Sequence, residues 1–297
     1  MELKKALTIK EQIERLKTAH NLVIDNDDEA AKILRTVNYY RLSAYGIGLT
    51  KKNNREEYVD GTSLTDIYRL YEFDSSLRNL ILKLIEYQEI RLRTLISCFL
   101  ALKYGAEGYI DPANFLQISD KQGNDIHKSI IDAFKEETIR QKNLPFVKHH
   151  EQKYSGHYPI WVAIELFSFG KLSSLYSIMQ NSDRNEIAKQ YRTKPDYLKS
   201  WIICLLEVRN ICAHYNRLYN MPLKQAPYLY PENIPYRKGK QNKLFPVLIT
   251  LKRMTASDND PLWNDFVGQL SSLMKKYRDV VNLSFIGFPK NWKDVLS

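Results

Sequence analysis

The amino-acid sequence predicts a mainly α fold: a multi-helix domain with a small N-terminal helical subdomain. Three observations lead there. Apolar residues recur at three- and four-residue steps through most of the 297 residues. Period-two alternation, the mark of a half-buried strand, is almost absent. Capping residues and Gly or Pro stops stand at the ends of the periodic stretches. An apolar fraction of 44% supports a real core, and the length suits one large domain or two small ones.

The first predicted helix runs from Thr8 to Ala19. Thr8 and Glu11 have capping-box spacing, and Ile9, Ile13 and Leu16 form its apolar face. Asp25 to Asp28 is an acidic loop able to cap the next helix, Glu29 to Val37. The string NYYRLSAYG follows, with Tyr39, Tyr40, Leu42 and Tyr45 as an aromatic patch around Arg41. Two short helices and a turn also suggest a helix-turn-helix DNA reader. The second is apolar and aromatic rather than rich in base-reading polar groups, which favours a packing subdomain. Gly46 to Gly61 is polar and closes this unit as a loop or small hairpin.

Leu64 to Tyr104 is a long helical region. Leu77, Leu80, Ile81, Leu84, Gln88, Leu92, Leu95, Ile96 and Phe99 follow helical spacing, and Gly105 stops it. Its other face carries Glu86, Glu89, Arg91 and Arg93, which read as a solvated, ion-paired surface. One acid there can orient a catalytic Arg or His on a neighbouring helix; the sequence leaves open which. Ile126 to Lys142 is a helix of mixed charge. His149, His150 and His157 read as solvated loop residues, because adjacent histidines diverge on any regular backbone and no carboxylate pattern accompanies them. Pro159 begins a helix in the favoured first-turn position, running to Gly170 and resuming over Leu172 to Met179. Glu165 within it is either a surface acid or the partner of a buried arginine. Asn185 to Tyr191 is another short helix.

Asp196 to Asn220 reads as one long helix. Trp201, Leu205, Val208, Cys212, Tyr215 and Tyr219 face a core, while Glu207, Asn210, His214 and Arg217 share a different side. Met221 to Phe245 is too rich in proline for one regular element. Its Arg237, Lys238, Lys240 and Lys243, beside Tyr228, Tyr230 and Tyr236, form a lip suited to an RNA strand, or else a basic surface loop; Arg217 joins them as a candidate RNA contact. Leu244 to Met254 is helical. Pro261 to Leu283 is a final amphipathic helix with Trp263, Phe266, Leu270, Leu273 and Tyr277 inward. The ending FIGFPKNWKDVL docks back on the body. The expected division is residues 1–60, an N-terminal helical subdomain; 61–221, the helical core; and 222–297, the basic loop and C-terminal helix.

Lys and Arg number 44 against 34 Asp and Glu, a formal charge of +10 that favours a polyanionic partner. Twenty tyrosines offer faces for unpaired bases, although most belong in the core. Cys98, Cys204 and Cys212 read as reduced core residues. No CxxC pair or other metal-ligand cluster is visible, so neither metal nor cofactor is expected. No signal-peptide core or membrane-length apolar run occurs, so the expectation is a soluble cytoplasmic protein without a membrane partner.

The string RNICAH, Arg209 to His214, resembles the R-x(4–6)-H motif of the HEPN superfamily, whose best-known members are metal-independent ribonucleases. The wording EVRNICAHYNRLYN is similar to the AbiD/AbiF-type abortive-infection proteins of bacteria. NYYRLSAYG, YEFDSSLRNLI, PIWVAIELFSFGKLSSLY and GFPKNW agree, in order, over nearly the whole chain. The resemblance implies a HEPN-like helical core and an endoribonuclease acting in abortive infection, with Arg209, Asn210 and His214 catalytic. It implies RNA as substrate, a small RNA as a conceivable regulator, and a homodimer through the 196–220 helix that joins two motifs in one cleft. The residues can support such chemistry: imidazole exchanges protons near neutral pH, a guanidinium fork holds phosphate oxygens, and Asn210 lies four residues before His214 on one face. Five helical steps set Arg209 and His214 roughly 140° apart. Either the arginine wraps round, the helix distorts, or the two come from different protomers. The competing readings are a non-catalytic RNA- or protein-binding helical module and a DNA-binding regulator.

Overall fold

The structure, a computed structural model, describes residues 5–237, 242–257 and 259–297. Lys238 and Lys240 of the expected lip lie outside the described residues. The fold is mainly α, with only isolated β-bridges among the described residues.

The N-terminal unit holds α1 (Ile9–Thr18), α2 (Asp27–Thr36) and α3 (Tyr39–Ser43). The capping box forms: Thr8 Oγ1 accepts from the Glu11 N–H, and the Glu11 carboxylate accepts from the Thr8 N–H at 2.7 Å. Asn26, rather than its acidic neighbours, caps α2, accepting from the Asp28 and Glu29 N–H groups. The polar stretch beyond α3 is a loop with one antiparallel bridge, Thr50 to Tyr58. Helix α3 is five residues long, and its Leu42 and the following Tyr45 are buried, which is not the form of a recognition helix.

The axis of the molecule is α4 (Leu64–Tyr104), 41 residues ended by Gly105. Leu77, Ile81, Leu84, Leu92 and Ile96 are buried along it. Gln88, the polar residue on that stripe, donates to Thr255 Oγ1 at 3.0 Å. Around this axis pack α5 (Ile126–Arg140), α6 (Pro145–Tyr154), α7 (Ile160–Ala163), α8 (Phe169–Ile178), α9 (Asn181–Gln190), α10 (Pro195–Ala213), α11 (Phe245–Thr255), α12 (Asp260–Lys276) and α13 (Trp292–Leu296). Helices α7, α8, α9, α10, α11 and α12 all touch α4 itself. The tail docks through buried Trp292 and Leu296, whose carbonyl accepts from Trp263 Nε1 at 2.7 Å. No helix among the described residues is long and apolar enough to cross a membrane.

Several elements depart from expectation. His149 and His150 lie on helix α6, begun by Pro145, and not in a loop. His150 is buried, its Nδ1 2.9 Å from the His157 carbonyl, its ring stacked on Tyr158. The polar composition hid this helix because only Val147 and His150 face inward. The Pro159 helix breaks at Phe167, where the backbone becomes extended and Ser168 caps α8. Cys98 is exposed, unlike Cys204 and Cys212. The central helix stops at Ala213 instead of Asn220, and Tyr215, expected inward, is 70% exposed.

Candidate active site at the end of helix α10

Helix α10 is built to bury one stripe, with Leu198, Trp201, Ile202, Leu205, Val208 and Cys212 inside. Arg209 and Asn210 sit on its last turn, and His214 is its C-cap. The helix closes through two backbone hydrogen bonds, Tyr215 N–H to the Cys212 carbonyl at 3.2 Å and Asn216 N–H to the Ile211 carbonyl at 2.9 Å. That ending requires a left-handed residue just beyond the cap, a place usually taken by glycine. Here it is Tyr215, with φ of 56°.

The turn that follows, Tyr215 to Asn220, is held from two directions. From the NYYRLSAYG segment, Arg41 Nη1 donates to the Tyr215 carbonyl at 2.6 Å. Arg217 Nη1 returns a bond to the Ala44 carbonyl, and Asn220 Nδ2 donates to the Ile47 carbonyl at 3.0 Å. From α4, the fully buried carboxylate of Asp74 accepts the Tyr219 N–H at 2.7 Å and the Leu218 N–H at 3.2 Å. Asp74 also accepts from Tyr45 Oη at 2.7 Å and is paired with the buried Arg78. Burial holds the Asp74 carboxyl above its ordinary range, and the Arg78 charge and these donors oppose that shift without cancelling it. Two sequence blocks far from RNICAH thus shape the backbone just after it.

Arg209 faces a cleft of about 300 Å³ between α4 and α10, lined by Leu82, Glu86, Glu89, Ile90, Arg93 and Ala213. Its Nε lies 3.7 Å from Glu89 Oε2. Glu89 is itself clamped by Arg93 Nη2 at 2.6 Å, and Arg93 Nη1 donates to the Ile164 carbonyl. The acid that faces Arg209 is therefore Glu89, which differs locally from Glu86 in having an arginine, Arg93, four residues on where Glu86 has Ile90. Asn210 and His214 are exposed on an adjoining face, four residues apart. One chain brings Glu89 to Arg209 and sets His214 beside Asn210, but leaves the arginine in the cleft and the imidazole on the open face. The Cys212 thiol, buried beneath them, is pushed up to about 12 by burial, as is that of Cys204, so neither is a ready nucleophile.

Of the expected RNA contacts, the structure describes Arg217, Arg237 and Lys243. Arg217 is half-buried in the turn, and burial lowers its pKa from the ordinary guanidinium value. Lys243, also half-buried, is held below the usual lysine range by burial and by Arg217 nearby. Arg237 is exposed. Of the three tyrosines, Tyr228 is exposed, whereas Tyr230 stacks on Tyr197 at 4.5 Å under Arg253, and Tyr236 meets Phe245 edge-on. Among the described residues no three His, Cys, Asp or Glu side chains are grouped to hold a metal ion.

No curated protein and no solved structure matches the chain. Residues 32–220 match the family model described as Abi-like protein. The matched stretch starts inside α2 and ends at Asn220, so it contains Arg41, Asp74, Glu89 and the RNICAH string, the groups that build and brace this helix end. It covers more than half of the molecule, and the chain therefore belongs to the Abi-like protein family.

Proposed function

We propose that this protein is a HEPN-type, metal-independent endoribonuclease that works in abortive infection as a homodimer. Family membership ties the chain to abortive infection. The observation that carries the enzymatic reading is the end of α10, where an acid-anchored arginine and an exposed histidine flank one turn. A basic chain, at +10, suits an RNA partner.

In this reading an imidazole takes the proton of a 2′-hydroxyl. The 2′-oxygen attacks the adjacent phosphorus, the bond to the 5′-oxygen breaks, and that oxygen receives a proton. The Arg209 fork neutralises the phosphorane oxygens, and Asn210 steadies the imidazole or the phosphate. Because one chain parts Arg209 from His214, a two-fold pairing of α10 ends completes the cleft, in line with the isologous contacts of most dimers. The products are a 2′,3′-cyclic phosphate and a 5′-hydroxyl.

Purified protein should cut RNA in EDTA and leave those ends on gel and end-group analysis. It should sediment as a dimer at micromolar concentration. EDTA-sensitive cleavage with 3′-hydroxyl ends refutes the chemistry, and a fully active monomer refutes the composite cleft. Binding without cleavage assigns the protein instead to the RNA-binding modules.

A second expectation concerns Glu89. Glu89→Gln removes the charge facing Arg209 but keeps the size of the side chain. Cleavage should fall about ten- to a hundredfold, the scale on which small misplacements of catalytic groups act. Melting temperature should fall by a few degrees, because Glu89 is only 14% exposed and pairs with the similarly covered Arg93, so rates are compared well below the melting point of the variant. An unchanged rate would show that Arg209 is positioned without it.

A further inference from the structure

Tyr215 combines three features that packing does not explain. It occupies the left-handed position that ends α10, where a β-carbon is disfavoured and glycine is the usual occupant. The residue is 70% exposed and so contributes little burial in return. It directly follows His214. Strain held at an exposed aromatic residue beside a reactive group points from structure to function rather than to stability.

The surroundings narrow the role. The carbonyl of Tyr215 is pinned by Arg41, and Tyr40, the residue before Arg41, is 87% exposed. Ile47, whose carbonyl is bonded by Asn220, is also exposed, as is Met221, against which Arg217 rests. An apolar and aromatic surface thus gathers on the segments stitched to the turn. The charged groups tied to it are Arg41 and Arg217, with Lys243 beside Arg217, while the acid that reaches it, Asp74, is buried and paired with Arg78. An aromatic face bordered by cations fits a nucleobase carried on a phosphate backbone.

Resting on the ribonuclease reading above, we propose that Tyr215 is the stacking platform for an unpaired nucleobase next to the scissile phosphate, with Tyr40 extending the surface to the following base. The substrate class is single-stranded RNA, or the unpaired loop of a folded one, because a paired base cannot offer its face to a tyrosine. Arg41 is a positioning residue: by holding the Tyr215 carbonyl it keeps the ring turned outward beside His214.

The test measures affinity, so cleavage is kept out of it. Uncleavable 2′-O-methyl RNA strands of about ten nucleotides, and abasic strands of the same length, are titrated against the full chain and its Tyr215→Phe, Tyr215→Ala and Tyr215→Gly variants. Tyr215→Phe should bind as tightly as the unaltered protein. Tyr215→Ala and Tyr215→Gly should weaken base-bearing strands roughly 5- to 150-fold, the range for one stacked base, and leave abasic strands and the salt dependence unchanged. Tyr215→Gly also relieves the left-handed strain, so its melting temperature should hold or rise while its RNA affinity falls. Affinity for base-bearing strands that is indifferent to all three variants overturns the stacking role and leaves the ribonuclease reading standing. Equal losses on abasic strands overturn it too, by showing a structural effect. A shift from dimer to monomer in the variants assigns the face to a second copy instead. An unaltered protein that binds neither kind of strand overturns both the platform and the reading beneath it.

Discussion

Replacing His214 by alanine should abolish RNA cleavage and cellular toxicity while the protein stays folded. The side chain is exposed at the C-cap of α10, and the helix is held by Trp201, Leu205, Val208 and Cys212 on the opposite side. Its loss therefore opens no cavity. What disappears is the group that moves protons, a step worth ~10²–10⁴ in rate. Arg209→Lys should fail as well. The ammonium keeps the charge but not the planar pair of donors that spans two phosphate oxygens. It also loses the Nε group that faces Glu89 at 3.7 Å. The comparison is a timed RNA gel assay with circular dichroism of each variant. A folded His214→Ala protein that still cuts at the original rate would sink the site. If both variants unfold, the motif is structural and the binding-module reading takes over.

Asp74→Ala should be among the most damaging single changes in the molecule, although Asp74 touches no substrate. Its carboxylate is fully buried, pairs with buried Arg78, and gathers the Tyr45 hydroxyl and the Leu218 and Tyr219 N–H groups. Removing it strands a buried guanidinium and leaves three donors unsatisfied. Breaking one partner out of such a pair costs about 3–5 kcal/mol, so the melting temperature should fall on the order of 10 °C. Tyr45→Phe, which deletes one donor and leaves the charges paired, should cost about 1 kcal/mol. Thermal melts of the two variants decide the matter. Equal, small losses would mean that the turn after His214 is held by Arg41 and the backbone rather than by the buried pair. Cleavage should drop with Asp74→Ala even below its melting point, because the same carboxylate sets the backbone that carries Tyr215 and follows His214.

The arrangement explains why segments far apart in the chain matter to one helix end. NYYRLSAYG supplies Arg41, Ala44, Tyr45 and Ile47, and YEFDSSLR supplies Asp74 and Arg78. Apart from the exposed Tyr40, both strings work through the turn. Such bracing keeps a strained left-handed tyrosine from relaxing, since the surrounding bonds over-determine its conformation.

Local information settled much of this protein. The Thr8–Glu11 capping box, the apolar stripe of α4, its stop at Gly105 and the inward face of α10 all depend on residues three or four apart, and each was legible as spacing. The RNICAH string, with its Arg209, Asn210 and His214, was legible only as a resemblance to a family motif, not as spacing. The histidine helix α6 was not legible, because a short helix with only two inward residues has almost no periodic signal. Three further matters belonged to the tertiary structure alone: where α10 ends, which acid meets Arg209, and which way Tyr215 points. The physical reason is range. Helical spacing pairs Glu89 with Arg93 four residues on, but only the packing of α4 against α10 decides that Glu89, and not Glu86, stands opposite Arg209. The turn after Ala213 is decided by Asp74, 145 residues from its partner Tyr219, and by Arg41, 174 residues from Tyr215. Read alone, the residues beyond Ala213 continue a helical pattern; contacts of that length overrule it, and with it the expectation that Tyr215 faces the core.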